Sequence, residues 1–244
     1  MAGRAGHHIA AISWHLRKEG LKDLTLDKRI RLALHGLKRL AADRSGKIGG
    51  REPFPLEALR CWVETDRRRT SAREFRDPAL VAVGIRCMRR PCELAALKRK
   101  HVQRTELGLR IFLEKSKTDQ LRVGRWLNID AVRGSRTCPV FLLQQHMDTT
   151  PYCEDEHPLF ASGGGKPLTV SAISGIVKNM VRAAGLDVQV SGHSLRIAGA
   201  TQAVKAGWEM AEICAVGGWR SNAVLLYLRD SAVAQKRGSQ SMGF

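Results

Sequence analysis

A change of hydrophobic period in the middle of the chain most narrows what it can fold into. Through about Leu97 the apolar residues recur at helical spacing. Beyond it, Leu107, Leu109, Ile111 and Leu113 alternate with Gly108, Arg110, Phe112 and Glu114, the two-residue period of a strand. Leu121, Val123, Trp126, Leu127 and Ile129 supply a return strand. Between them, Lys115-Ser116-Lys117-Thr118-Asp119-Gln120 forms a polar hairpin tip. Helical patterning resumes at Pro139, which suits the first position of a helix. A hairpin set among helices implies a mainly α fold with a small antiparallel β-sheet, an α+β class.

The N-terminal part predicts two helices between Ile9 and Leu40, separated by Gly20 and residues 22–27, with Thr25 or Asp27 able to cap the second. Two helices make a thin core. They either pack on the rest of the chain or belong to a unit with further helices. Residues 42–55 hold Gly46, Gly49, Gly50, Pro53 and Pro55 and little apolar content, the composition of a boundary. The expected division is a small N-terminal helical unit over residues 1–46, a linker over 47–55, a main domain over 56–230 and a tail over 231–244. Within the main domain, helices are predicted over Leu56–Glu64, in two pieces over Ala79–Ala96 broken at Arg89-Arg90-Pro91, and from Thr169 or Ser171 to Gly185. Leu80 to Ile85 is apolar nearly all round and so is expected to be buried.

The 244 residues carry a formal net charge of +18, spread along the whole chain, with an ordinary 43% of apolar residues. A folded core with a basic surface points to a polyanion, and nucleic acid is the expected partner. No apolar run reaches the length of a membrane-spanning helix, so no membrane partner is expected. Lys28, Arg31, Lys38 and Arg39 on the second helix and Arg67 and Arg68 in a charged loop are candidates for phosphate contacts, or simply solvated positions. The six cysteines include no Cys-x-x-Cys pair, which fits reduced thiols in an intracellular protein and predicts no metal site. Ser162-Gly163-Gly164-Gly165-Lys166 is a tight turn and not a nucleotide-binding loop, because Pro167 follows the lysine.

Chemistry gathers toward the C-terminal end. His193 and Arg196 stand three residues apart at a helix start, Gly217-Gly218-Trp219 makes a turn, and Tyr227, one of only two tyrosines, follows in an apolar run. Further back, Arg90 precedes Pro91 at a helix mouth, with Glu93 one turn on to hold its guanidinium. Arg86 and Arg89 stand close by and compete for the same part.

Arg90-Pro91-Cys92-Glu93-Leu94, Ser116-Lys117-Thr118, Pro158-Leu159-Phe160, Gly192-His193-Ser194-Leu195-Arg196 and Trp219 ahead of Tyr227 appear in an order that resembles the tyrosine recombinase, or phage integrase, family. The Gly-Gly-Trp turn followed by Tyr227-Leu228-Arg229 is similar to the Cre branch and to recombinases of Crypton- and DIRS-type mobile elements. The interval from Trp219 to Tyr227 is one residue shorter than the Cre pattern. That departure points to the mobile-element branch or to a shifted nucleophile helix. The resemblance covers residues 51–230, and Ile9–Leu40 is similar to the last helices of the family's core-binding domain, here short and incomplete.

The resemblance implies a site-specific recombinase that cleaves and rejoins DNA through a 3′-phosphotyrosine. It would work as a homotetramer on double-stranded DNA, without cofactor, metal or ATP, inside the cell with the DNA: in the nucleus of a eukaryote, or in the cytoplasm or nucleoid of a bacterium. Arg90 and Arg196 would fork onto the phosphate, His193 and Trp219 would each donate an N–H to it, Lys117 would protonate the leaving oxygen and Tyr227 would attack. These residue types suit the task, because cations must meet the charge that builds on phosphoryl oxygens. Two alternatives remain: a DNA-binding, catalytically impaired remnant of a mobile-element recombinase, and a type IB topoisomerase, against which the His-x-x-Arg pair and Trp219 speak.

Overall fold

The computed structural model describes residues 2–45, 52–65, 71–114, 123–150, 154–219 and 224. The chain divides into two compact units, residues 1–50 and 51–244.

The first unit pairs α1 (Ala2–Lys18) with α2 (Lys28–Ser45). Polar bonds dominate the turn between them. The Asp23 carboxylate accepts hydrogen bonds from Ser13 Oγ at 2.6 Å and from Thr25 N at 3.1 Å, and Arg17 Nη2 reaches Ser13 Oγ at 3.1 Å. Asp27 caps α2 by accepting the Arg29 N–H at 2.8 Å. Among the described residues of this unit Ser13 is buried and no apolar side chain is. Trp14, Leu24, Leu26 and Leu32 are exposed.

The second unit runs α3 (Leu56–Glu64), α4 (Ala72–Arg86), α5 (Pro91–Ala95), β1 (Val102–Arg104), β2 (Gly108–Leu113), β3 (Arg125–Asp130), α6 (Pro139–Asp148), α7 (Val170–Ala183), α8 (Ser194–Lys205) and α9 (Met210–Gly217). It is mainly helical with a three-stranded antiparallel sheet in the order β1-β2-β3. The period-two pattern sets its register. Leu109 lies opposite Ile129 and Ile111 opposite Leu127, all four buried, while Arg110 faces out over the Trp126 ring at 4.4 Å.

Helix α4 is the central post. Ala79 to Ile85 are all buried, and α6 and α8 pack on it. It starts at Ala72, ahead of the Ala79 that apolar patterning marks, because the Glu74 carboxylate accepts the Ser71 N–H at 3.0 Å in a capping-box contact. The interior Pro78 and the charged residues around it hide that first turn from periodicity. Helix α8 crosses α4 closely at Gly199, where a Cβ would stand 2.1 Å from the Ile85 carbonyl oxygen. Phe54, at the end of the expected linker, is buried and donates its N–H to Ser194 O at 3.1 Å, so the segment leading into α3 is fastened to the start of α8. Among the described residues no helix is long and apolar enough to cross a membrane.

Candidate active site

The three arginines of residues 86–90 separate clearly. Arg86 lies over the Trp208 ring at 5.1 Å. Arg89 is buried, its side chain 1% exposed. Arg90 is extended (φ −74°, ψ 149°), as the residue before a proline prefers, and its side chain is 22% exposed. Pro91 opens α5, where its missing N–H costs nothing. Glu93, one turn on, takes Arg90 Nη1 on Oε1 at 2.7 Å and the Arg90 N–H on Oε2 at 3.0 Å, with Arg89 Nη1 3.4 Å from that same Oε2. Burial pushes the Arg89 guanidinium down to about 10, with Glu93 opposing that shift, so it stays charged at neutral pH.

His193 occupies the N-cap position of α8, with Arg196 in its first turn. The turn before it is cross-tied: Gly192 N–H donates to Ser174 Oγ at 3.1 Å and Ser191 N–H to Ser194 Oγ at 3.0 Å. A Cβ on Gly192 would meet Pro91 Cγ at 2.6 Å, so this turn rests on the first residue of α5. Arg90-Pro91 and Gly192-His193, far apart in sequence, are thereby neighbours.

Arg196 is fully buried. Its Nη1 donates to Met88 O at 2.6 Å and to Gly217 O at 2.7 Å, and its guanidinium lies 3.7 Å from the Trp219 ring centre. Met88, with φ +53°, is the one non-glycine residue in the left-handed region among those described. Its carbonyl is one of the two that Arg196 holds. The other side of the site is the end of α9. Gly218 takes the left-handed conformation (φ 70°) that stops the helix, and the N–H groups of Gly218 and Trp219 both return to Cys214 O, at 2.8 and 3.1 Å. The indole then folds back over Gly217, where a Cβ would stand 1.7 Å from Trp219 Cζ3.

The fold therefore brings Arg90 with its Glu93, His193, Arg196 and Trp219 to one place. Lys117 and Tyr227 lie outside the described residues, as do Arg67 and Arg68. Strands β2 and β3 pair up to Leu113 and Arg125 on either side of the segment that carries Lys117. Lys28 and Arg31 are exposed on α2, which also carries residues 38 and 39 (Lys38 and Arg39). Sequence reasoning set Arg89 aside as a competitor and passed over Arg125, yet both donate to carbonyls at the end of α9. Their partners are main-chain oxygens, which leave no mark in a sequence. Among the described residues, no group of three or more His, Cys, Asp or Glu side chains comes together.

A sequence profile described as the phage integrase family matches residues 63–232, most of the chain and every element of this site. The chain belongs to the phage integrase family of tyrosine recombinases. It is 29% identical over 187 residues to an integrase/recombinase xerD homolog of Selenomonas ruminantium, covering 73% of this chain and 53% of that one. Among solved structures, a XerH site-specific recombinase bound to palindromic difH substrate in a post-cleavage complex matches with a TM-score of 0.61 at 18% identity, over 79% of this chain and 54% of that one. A XerA recombinase matches with a TM-score of 0.58 at 20% identity, over 78% of this chain and 66% of that one. These structures share the integrase fold. The chain spans about half the length of the curated relative it matches.

Proposed function

We propose that this integrase-family chain is a site-specific DNA recombinase that cleaves and rejoins strands through a 3′-phosphotyrosine, with Tyr227 as nucleophile. The observation that carries the reading is the convergence of Arg90, His193, Arg196 and Trp219, from three separate stretches of sequence, on one place.

In this mechanism the Tyr227 oxygen attacks the scissile phosphorus as the bond to the 5′ oxygen breaks. The phenolic proton passes to solvent or a neighbouring base, and Lys117 hands a proton to the departing 5′ oxygen. Arg90, steered by Glu93, and Arg196 meet the charge that grows on the non-bridging oxygens, and His193 and the Trp219 indole N–H complete the set of donors. The phosphotyrosine keeps the bond energy, so a 5′-hydroxyl from another strand can reverse the step without ATP. Guanidinium groups supply the cationic field in this scheme. Arg196 lies beneath Trp219, so a phosphate must enter beside the indole or displace it. Double-stranded DNA is the partner, contacted by Lys28, Arg31, Lys38, Arg39, Arg67 and Arg68, and strand exchange takes place in a homotetramer that spans two duplexes. The Gly217-Gly218-Trp219 turn, together with the short interval from Trp219 to Tyr227, supports the mobile-element branch.

The test begins by selecting bound duplexes from a random-sequence pool. A selected site is then built as a nicked suicide substrate and incubated with the protein. The expected result is a covalent protein–DNA adduct that is absent in Tyr227→Phe. Salt-sensitive binding with no adduct would replace this reading with a DNA-binding remnant. Plasmid relaxation without recombinants would replace it with a topoisomerase.

A further inference from the structure

The last four carbonyls of an α-helix have no partner within it and carry the negative end of its dipole. For α9 these belong to Cys214, Ala215, Val216 and Gly217. Cys214 O is satisfied by the N–H groups of Gly218 and Trp219. The other three are all taken by guanidinium groups. Arg125 donates through Nη1 to Ala215 O and through Nη2 to Val216 O at 2.8 Å. Arg89 Nη2 donates to the same Val216 O, and Arg196 Nη1 to Gly217 O at 2.7 Å. Three arginines from three places, the α4–α5 connection, the first residue of β3 and the first turn of α8, thus grip one helix end.

We propose that Arg125 and Arg89 are positioning residues for strand cleavage: by gripping the end of α9 they hold Trp219 on Arg196. This rests on the reading given under Proposed function. Neither residue needs to touch DNA. Water can satisfy the carbonyls of an exposed helix end, and a buried end needs donors but not charged ones. A planar fork adds direction: Arg125 spans two successive carbonyls, which fixes both the position and the rotation of the last turn. Arg125 also faces Leu113 at the base of the segment that carries Lys117. One side chain therefore ties the start of β3, opposite Leu113, to the helix end that leads into Trp219.

Arg125, only half-buried, is the residue to vary; the buried Arg89 is the second choice because Arg89→Met risks the fold. Arg125→Met and Arg125→Lys are compared with wild type for affinity to a selected duplex, for the rate of adduct formation on its suicide form, and for hydrogen exchange. For Arg125→Met the expected result is unchanged affinity, adduct formation slowed roughly a hundredfold, as for a reacting group misplaced by about 1 Å, and faster exchange at the Gly218 and Trp219 amides but not in α4 or α8. Arg125→Lys, with charge but no fork, recovers part of the rate. An Arg125→Met protein that forms adduct at the wild-type rate overturns the proposal, and so does one whose Gly218 and Trp219 amides exchange as in wild type. Absence of adduct from wild type itself would sink the recombinase reading instead. In that case the exchange comparison alone decides whether the grip exists.

Discussion

The guanidinium of Arg196 lies over the indole of Trp219, 3.7 Å from the ring centre, with its Nη1 shared between Met88 O and Gly217 O. One side chain thus does three things at once: it stacks, it bridges two stretches of main chain, and in the proposed mechanism it also meets the phosphate. Substitutions at these two positions separate the parts.

Trp219→Phe keeps a ring on the guanidinium but removes the indole N–H. Stability in urea should change little, while adduct formation on a suicide duplex falls. Trp219→Ala loses the stack as well and should cost about 0.5–2 kcal/mol of unfolding free energy. Equal destabilisation by Phe and Ala would show that the stacking adds nothing.

Arg196→Met should leave the buried Met88 and Gly217 carbonyls without their donor, at about 1–3 kcal/mol for each unsatisfied group. Arg196→Lys restores the charge without the planar fork and should fall between. Urea unfolding midpoints, compared at constant m-value, measure both.

Two glycines on facing helices give an ordered prediction. A Cβ at position 199 meets the Ile85 carbonyl oxygen at 2.1 Å, and backbone there has nowhere to go. At position 84 it meets the far end of Leu195, Cδ1, at 2.8 Å, which can turn aside. Gly199→Ala should therefore destabilise more than Gly84→Ala, by about 1–3 kcal/mol in absolute terms. For a chain of this size that is roughly 2–4 °C of Tm per kcal/mol. Reversal of the order in thermal melts would mean that α4 and α8 can part cheaply.

His146 predicts a pH effect. It is buried on Phe160, and Nε2 lies 2.7 Å from Leu159 O, which fixes the neutral tautomer with its proton on Nε2. Nδ1 has no hydrogen-bond partner. Burial, opposed by the Leu159 bond, holds its pKa below the usual 6.5. Below pH 6.5 the unfolded chain then binds the proton that the folded one refuses. This residue's contribution is whole above about pH 6.5 and is lost as pH falls toward the folded value, at up to about 1.4 kcal/mol per pH unit. His146→Gln, which can still donate to Leu159 O, should flatten that dependence relative to wild type. Parallel pH–stability curves would assign the acid sensitivity elsewhere.

Lys117, the proposed general acid, should be dispensable when the leaving group needs no proton. Lys117→Ala should be slow on an ordinary suicide duplex and recover on one with sulfur in place of the bridging 5′ oxygen, because a thiolate departs unprotonated. No recovery would remove Lys117 from that role.

Much of this architecture is legible in the chain because it rests on local signals. The alternation from Leu107 to Leu113, the apolar run Leu80–Ile85 and the Pro91 that opens α5 each encode their own element. Ser71 and Glu74 mark the start of α4 as a capping pair, a signal that apolar periodicity alone passes over. Strand β1 is three residues, Val102 to Arg104, too short for any period to declare itself. The pairing of Arg90 with Glu93 follows from helical spacing. The hold of Arg89 and Arg125 on α9 does not announce itself in this way, because what they grip there is backbone, and any residue can present a carbonyl.

The grip on α9 also bears on the order in which the molecule closes. Its bonds join residues 127, 91 and 21 positions apart, so no stretch of the nascent chain can form them locally. Contacts that close long loops are entropically costly until the rest of the fold supports them. A partly folded chain therefore holds the arginines and the tyrosine without their arrangement. Completion of the whole domain would then be the safety catch on the site proposed to cut DNA.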